Sequence, residues 1–289
     1  MCKAKIFCIL LLLFPLEITP TLANETTHSN HKASHSLAKS NHHVATHGRS
    51  HRYARHHRAN RSQGPTVEQV PQEIFPPGHK FTPEEKAEAS QIGVLEQNGL
   101  WKEAFKAATK AGKQHPERWW LQAARAAAAS NLNRPKDVID AVNTAIQNNA
   151  GDANRLNLAQ LYTLRANAYS RLGRKADALT DFRAAINLSK TDPMCRAGAA
   201  WLYATSSDPQ IRNGPAAVAL ATESAKLTQW KDDTVLDVLA AGYAEIADFS
   251  SAQKWEEKAI LLGGQEDIPF YQRRLQSYQS GKAWREDSR

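Results

Sequence analysis

Two segments of this chain are variants of one pattern, and few folds are open to a chain built that way. Leu161 to Leu188 and Val235 to Leu262 run in register, 74 residues apart. Along that offset Ala166 meets Ala240, Tyr169 meets Tyr243 and Leu172 meets Ile246. Ala178 then meets Ala252, Ala185 meets Ala259, Ile186 meets Ile260 and Leu188 meets Leu262. One step of the same length back from Gly173 and Ala178 reaches Gly99 and Ala104. Similarity at a fixed period marks a unit used several times, each copy burying its apolar face against the next. The unit is helical. From Phe81 onward the sequence is rich in Ala, Leu, Glu, Lys, Arg and Gln and has no alternating runs of the kind strands need.

The pattern has a steric logic. Ala166 and Ala178 fall on the two helices of one hairpin, where small side chains let the helices approach closely. Tyr169 and Phe182 fill the wider spaces on either side, and Gly173 permits the turn between them. Helix starts are marked by the capping box Thr82-Pro83-Glu84-Glu85 and by Asp192-Pro193 and Gly214-Pro215. Stops are marked by Gly99, Gly173 and Gly263-Gly264. These signals predict five hairpins, at about 83–116, 117–150, 155–190, 193–230 and 232–263, and a last helix from Ile268 to about Ser280. Extra loop residues are expected at Ser206 to Gly214 and at Asn148 to Asn154.

Arg165-Ala166-Asn167-Ala168-Tyr169, Leu172-Gly173, Ala178-Leu179, Asp181-Phe182 and Ala185-Ile186 resemble the tetratricopeptide repeat, a helix-turn-helix unit of about 34 residues. The resemblance covers roughly 83–263 and is strongest in the third and fifth hairpins. Trp201 to Thr205, Arg212 to Gly214 and Trp230 to Asp232 are similar to the C-terminal repeats of large bacterial proteins of this type. The resemblance implies an all-α, right-handed superhelical solenoid of about five helix pairs with a C-terminal capping helix. It also implies a protein or peptide ligand on the concave face formed by the first helix of each pair. Carried over, that face holds Gln160, Thr163, Asn167 and Arg171 in the third unit and Asp237 and Glu245 in the fifth. Asn167 stands where related domains hold a peptide backbone by its amide. Thr163 and Asp237 stand where the carboxylate-clamp members carry lysine, so recognition of a free C-terminus is not implied. If Tyr203 packs inward as Tyr169 does, Trp201 leans toward the groove. An extended peptide or a partner helix would suit such a mixed polar surface with an aromatic anchor.

The N-terminal third is a different kind of sequence. Lys3 and Lys5, the apolar run Ile6 to Leu16, and Thr21-Leu22-Ala23 form the three parts of an export signal over 1–23. That run is roughly half the ~20 residues a membrane-spanning helix needs, so removal is expected rather than anchoring. The mature protein is then expected to be periplasmic or extracellular in a bacterium, with no stable membrane span. Residues 24–78 read as a disordered basic tail and a Pro-rich linker, followed by the solenoid at 79–289. Nine of the eleven histidines lie between His28 and His57. His31 and His35, and His43 and His47, have the i, i+4 spacing that would converge on one helical face, so a loose divalent-metal site is one reading of the tail. A solvated tether touching anionic polymers is another, and a joint protonation of the imidazoles below about pH 6.5 a third.

The net charge of +8 is concentrated there: 24–63 carries seven Lys or Arg against Glu25 alone, leaving the helical part nearly neutral. A nucleic-acid-binding solenoid would carry a basic face, so nucleic acid is not the expected partner. No Gly-rich phosphate loop, zinc-ligand spacing or nucleophile elbow occurs, so the chain is expected to be non-enzymatic and to need no cofactor. Cys195 reads as a buried small apolar residue. Trp101, Trp230 and Trp255 are expected between helices, whereas Trp119 and Trp120, being adjacent, are expected to diverge so that one is free to face outward. Two functions follow: an interaction scaffold in the cell envelope, or a metal- or polymer-binding envelope protein for which the solenoid is a display platform.

Overall fold

The computed structural model describes residues 82–148 and 155–286. Every regular element among them is an α-helix: α1 Pro83–Gln97, α2 Trp101–Gln114, α3 Trp119–Asn131, α4 Pro135–Asn148, α5 Arg155–Arg171, α6 Lys175–Leu188, α7 Pro193–Thr205, α8 Gly214–Leu227, α9 Asp233–Glu245, α10 Phe249–Leu262 and α11 Ile268–Gln279. They pack as five successive hairpins, α1/α2 to α9/α10, with α11 against α10. The expected export signal, the His-rich tail with His31, His35, His43 and His47, the Pro-rich linker and most of the expected insertion after Asn148 lie outside the described residues.

The helix starts are those the caps dictate. Glu85 N–H donates to Thr82 Oγ1 at 3.2 Å and Thr82 N–H to Glu85 Oε2 at 2.9 Å, the reciprocal capping box. Asp192, Asn213, Asp232 and Asp248 each accept an N–H of the first turn of α7, α8, α9 and α10. Each cap satisfies a donor that the helix cannot satisfy itself.

Four of the five hairpin turns share one geometry. The second residue after the first helix takes a left-handed conformation, and the next N–H closes a six-residue bond back to that helix. Leu100 N–H reaches Leu95 O, Arg134 reaches Ala129, Arg174 reaches Tyr169 and Asp248 reaches Tyr243, at 2.8–3.0 Å. The left-handed residues are Gly99, Asn133, Gly173 and Ala247, with φ of 67, 55, 75 and 61°. Only glycine adopts this conformation without a Cβ penalty, so Ala247 is the strained member. The fourth turn is the longer Ser206–Asn213 segment, as its Asp-Pro and Asn-Gly steps predict.

The core is continuous across hairpins. Ile92, Ala108, Leu121, Val138, Val142 and Leu161 form one cluster drawn from α1 to α5. Phe182, Ala178, Ala166, Cys195 and Leu202 link α5, α6 and α7, and Leu236, Leu239, Ala225 and Tyr271 link α8, α9 and α11. Gly198 lets α7 ride directly on the Phe182 ring, since a Cβ there would lie 2.3 Å from its Cζ. Trp230 and Trp255 stack with centroids 5.0 Å apart, between helices as expected. Trp119 and Trp120 depart from expectation. Both are buried, at 6% and 7% exposure, because α3 is covered on both flanks by α2 and by α4 and α5. No helix of the described residues is long and apolar enough to cross a membrane.

Candidate functional site

The seven candidate residues separate into two groups. Gln160, Thr163, Asn167 and Arg171 share one face of α5, spaced three and four apart. The Thr163 hydroxyl is turned back onto Ala159 O at 2.9 Å and is buried, so it is spent inside the helix. Arg171 reaches across to the end of α3, donating to Ser130 O at 3.3 Å and to Asn133 Oδ1 at 3.2 Å. Burial pulls its guanidinium below the usual arginine range. Gln160 and Asn167 are half-buried on the same face. Beside them Arg165 is structural. It donates to both oxygens of Asp181, at 2.7 and 2.9 Å, and to Asn143 Oδ1 at 2.6 Å, with Tyr162 and Tyr169 beneath its guanidinium. That clamp fixes α5 to α6 and α4 and so fixes where Asn167 stands.

Trp201, Asp237 and Glu245 form the second group, and the C-terminal part of the chain covers them. Arg274 of α11 donates to Asp237 Oδ1 at 3.0 Å, and its guanidinium lies 4.9 Å from the centre of the Trp201 ring. Arg274 and Asp237 are buried. Burial pushes the Asp237 carboxyl above the usual range, against the pull of Arg274 and of a hydrogen bond with the fully buried Glu256. Glu245 is flanked by two guanidinium groups, Arg212 at 3.1 Å and Arg285 at 2.6 Å. Arg212 also holds the carbonyls of Ser206 and Ser207, at 3.0 and 3.2 Å.

Beyond α11, Gly281 takes a left-handed turn at φ 66° and residues 282–286 run back to this group outside any helix. Glu286 N–H donates to Thr205 O at 2.8 Å, and Ser206 and Glu286 form a parallel β-bridge. Arg285 Nη1 donates to Ala204 O at 3.3 Å. Trp284 packs with Tyr243, Phe249 and Trp255 against Ala240, Ala244 and Tyr278, within 5.7 Å of Arg274. Arg212, Arg274, Trp284 and Arg285 were not among the candidate site residues read from the sequence. The available signal was a Trp-Arg pair just past the helix-stopping Gly281, in an otherwise polar stretch.

Among the described residues, Glu84, Glu88 and His115 bring three ligand-capable atoms within 4.8 Å of one another. Arg118 already stands there, 2.6 Å from Glu88 and 3.4 Å from Glu85, so the cluster reads as an ionic clasp between α1 and the start of α3. Two surface clefts, of about 290 and 360 Å³, are lined by Phe105, Lys106 and Thr109, and by Arg174, Lys175, Ser207 and Ile211; none of the seven candidate residues lines either.

These observations define the class: an all-α protein of stacked helix hairpins. No family model matches the sequence, and no curated protein matches it. Among solved structures the chain is similar to MamA, at 14% identity over 64% of this chain and 96% of that one, with a TM-score of 0.47. It is also similar to the C-terminal part of a TPR repeat-containing protein from Cytophaga hutchinsonii. That match is 15% identical over 66% of this chain and 70% of that one, with a TM-score of 0.46.

Proposed function

We propose that this chain is a non-catalytic interaction scaffold of the tetratricopeptide type, exported to the bacterial envelope. There it binds an extended peptide or partner helix along the face carried by α5. The observation that supports this reading is the amide pair Gln160 and Asn167. Both lie half-buried on one face of α5, with no hydrogen-bond partner for either among the described residues. A half-buried amide presents a donor and an acceptor together, which is what a peptide backbone needs on both counts. Arg171, pinned to the end of α3, adds a positive charge at the edge of the same face. Export is supported by the arrangement of Lys3, Lys5, Ile6 to Leu16 and Ala23.

The test places a photo-crosslinking residue at 167 in the native host and, as a control, at Asp140 on the exposed side of α4. A partner captured from 167 alone is then measured against purified protein. Asn167→Ala is expected to weaken it about tenfold, the value of one or two hydrogen bonds lost at about 1 kcal/mol each. Deletion of 24–63 is expected to leave the affinity unchanged. Equal affinity for the wild-type and Asn167→Ala chains, both with intact helical content, would remove α5 as the binding face.

A further inference from the structure

The geometry points to residues 282–286 as a built-in ligand: we propose that they occupy a second peptide site, made by the end of α7 with α9 and α11, whose external ligand is an extended segment carrying a Trp-Arg pair. This deepens the scaffold reading by giving one end of the molecule a ligand chemistry. Its test uses a peptide of this chain itself and so stands or falls independently of what binds at α5.

The site is built from groups that need partners. A helix leaves its last carbonyls without internal donors and carries partial negative charge at that end. At the end of α7, Ala204 O receives the Arg285 guanidinium and Thr205 O receives the Glu286 N–H. Ser206 leaves the helix in an extended conformation, with φ −55° and ψ 135°, so its edge is open to strand pairing, and Glu286 pairs with it. Glu245 supplies the acid. Its side chain is only 13% exposed, whereas that of Arg285 is 37% exposed, so the carboxylate belongs to the wall and the guanidinium to the occupant. The apolar wall is the buried cluster of Ala240, Ala244, Ala252 and Tyr278, with Trp284 against it. Three residues of the occupant carry the contacts: Trp284 covers the apolar wall, Arg285 meets Glu245 and the helix end, and Glu286 meets the backbone.

The occupant is separable from the fold beneath it. Residues 283–286 are all half-buried and none has helical bonds of its own, whereas Tyr271, Arg274 and Tyr278 of α11 are buried. Arg274 reaches Asp237 and Trp201 by its own hydrogen bond and ring contact, and the segment adds only the Trp284 ring, 5.7 Å away. The left-handed Gly281, with open space around the position of a Cβ, is the joint between the two parts.

The experiment measures fluorescence anisotropy of a labelled peptide covering 280–286 against the full chain and against the full chain carrying Trp284→Ala with Arg285→Ala. Tethering holds the native segment at an effective concentration of about millimolar, so the wild-type chain is expected to exclude the peptide. The doubly substituted chain is expected to bind it at least about tenfold more tightly, and adding Glu245→Gln to that chain is expected to abolish the gain. If the opened chain binds no better than wild type, or binds as well with Glu245→Gln, the proposal is overturned. A second measurement needs no substitution. Excess peptide is expected to speed hydrogen exchange in the C-terminal fragment of the wild-type chain, where the Glu286 amide loses Thr205 O. Unchanged exchange at saturating peptide also overturns it.

Discussion

Removing Arg274 should produce a loss of stability that depends on pH in a particular direction. Among the described residues Arg274 is the cation bonded to Asp237, itself 4% exposed and hydrogen-bonded to the buried Glu256. Asp233, Tyr271 and Tyr278 lie around the same group, and burial pushes both tyrosine hydroxyls above their usual range. In Arg274→Leu the buried Asp237 carboxyl loses that guanidinium beside the buried Glu256. Breaking a buried pair by removing one partner costs about 3–5 kcal/mol, and the cation–π contact with Trp201 adds about 0.5–1 kcal/mol. The sign with pH follows from linkage. Asp237 already titrates above its unfolded value, and loss of Arg274 moves it further up. A raised carboxyl binds its proton more tightly in the folded state, so its penalty is absent below the unfolded value of about 4 and grows as pH rises toward the folded value. Urea unfolding at pH 7.5 should therefore show the larger loss, and at about pH 4.5 a loss smaller by up to about 1.4 kcal/mol per unit of further shift. Arg274→Leu combined with Asp237→Leu should recover part of the stability at neutral pH. A gap between wild type and Arg274→Leu that is the same at both pH values, with no recovery in the double variant, would refute the reasoning.

Two smaller tests follow from the same coordinates. Ala247→Gly places glycine at φ 61°, in the slot that Gly99 and Gly173 fill in the other turns. It should raise stability by about 0.5–1 kcal/mol, and Gly173→Ala should lower it by a similar or larger amount, both read from thermal unfolding; opposite signs would show that these turns are not equivalent. The thiol of Cys195 is fully buried, and desolvation pushes it up to about 12. It should resist alkylation in the folded chain at pH 8 and react only on unfolding, as mass spectrometry would show; rapid labelling of native protein would contradict the burial.

What the sequence determined by itself is local. Capping residues act within three positions of their helix, left-handed turns within two, and the hairpin pattern is written in residues that repeat at 74. Hence the boundaries at Pro83, Pro193 and Leu262, the turn at Gly173 and the long turn after Ser206 could all be read before any coordinates. The strain at Ala247 could be read only in part: the offset from Gly173 puts it in the turn, but its left-handed conformation is a property of the backbone. The burial of both Trp119 and Trp120 was not legible, because flanking α3 on two sides is an arrangement of other helices. The candidate face divides for the same reason. Asn167 and Gln160 share a face of α5, whereas Asp237, Glu245 and Trp201 are closed over by Arg274 and Arg285. The Arg285 contact with Ala204 spans 81 residues. No local pattern specifies a meeting over that distance. It is decided by how the hairpins stack, which brings α11 and the segment after Gly281 back to the C-terminal end of α7.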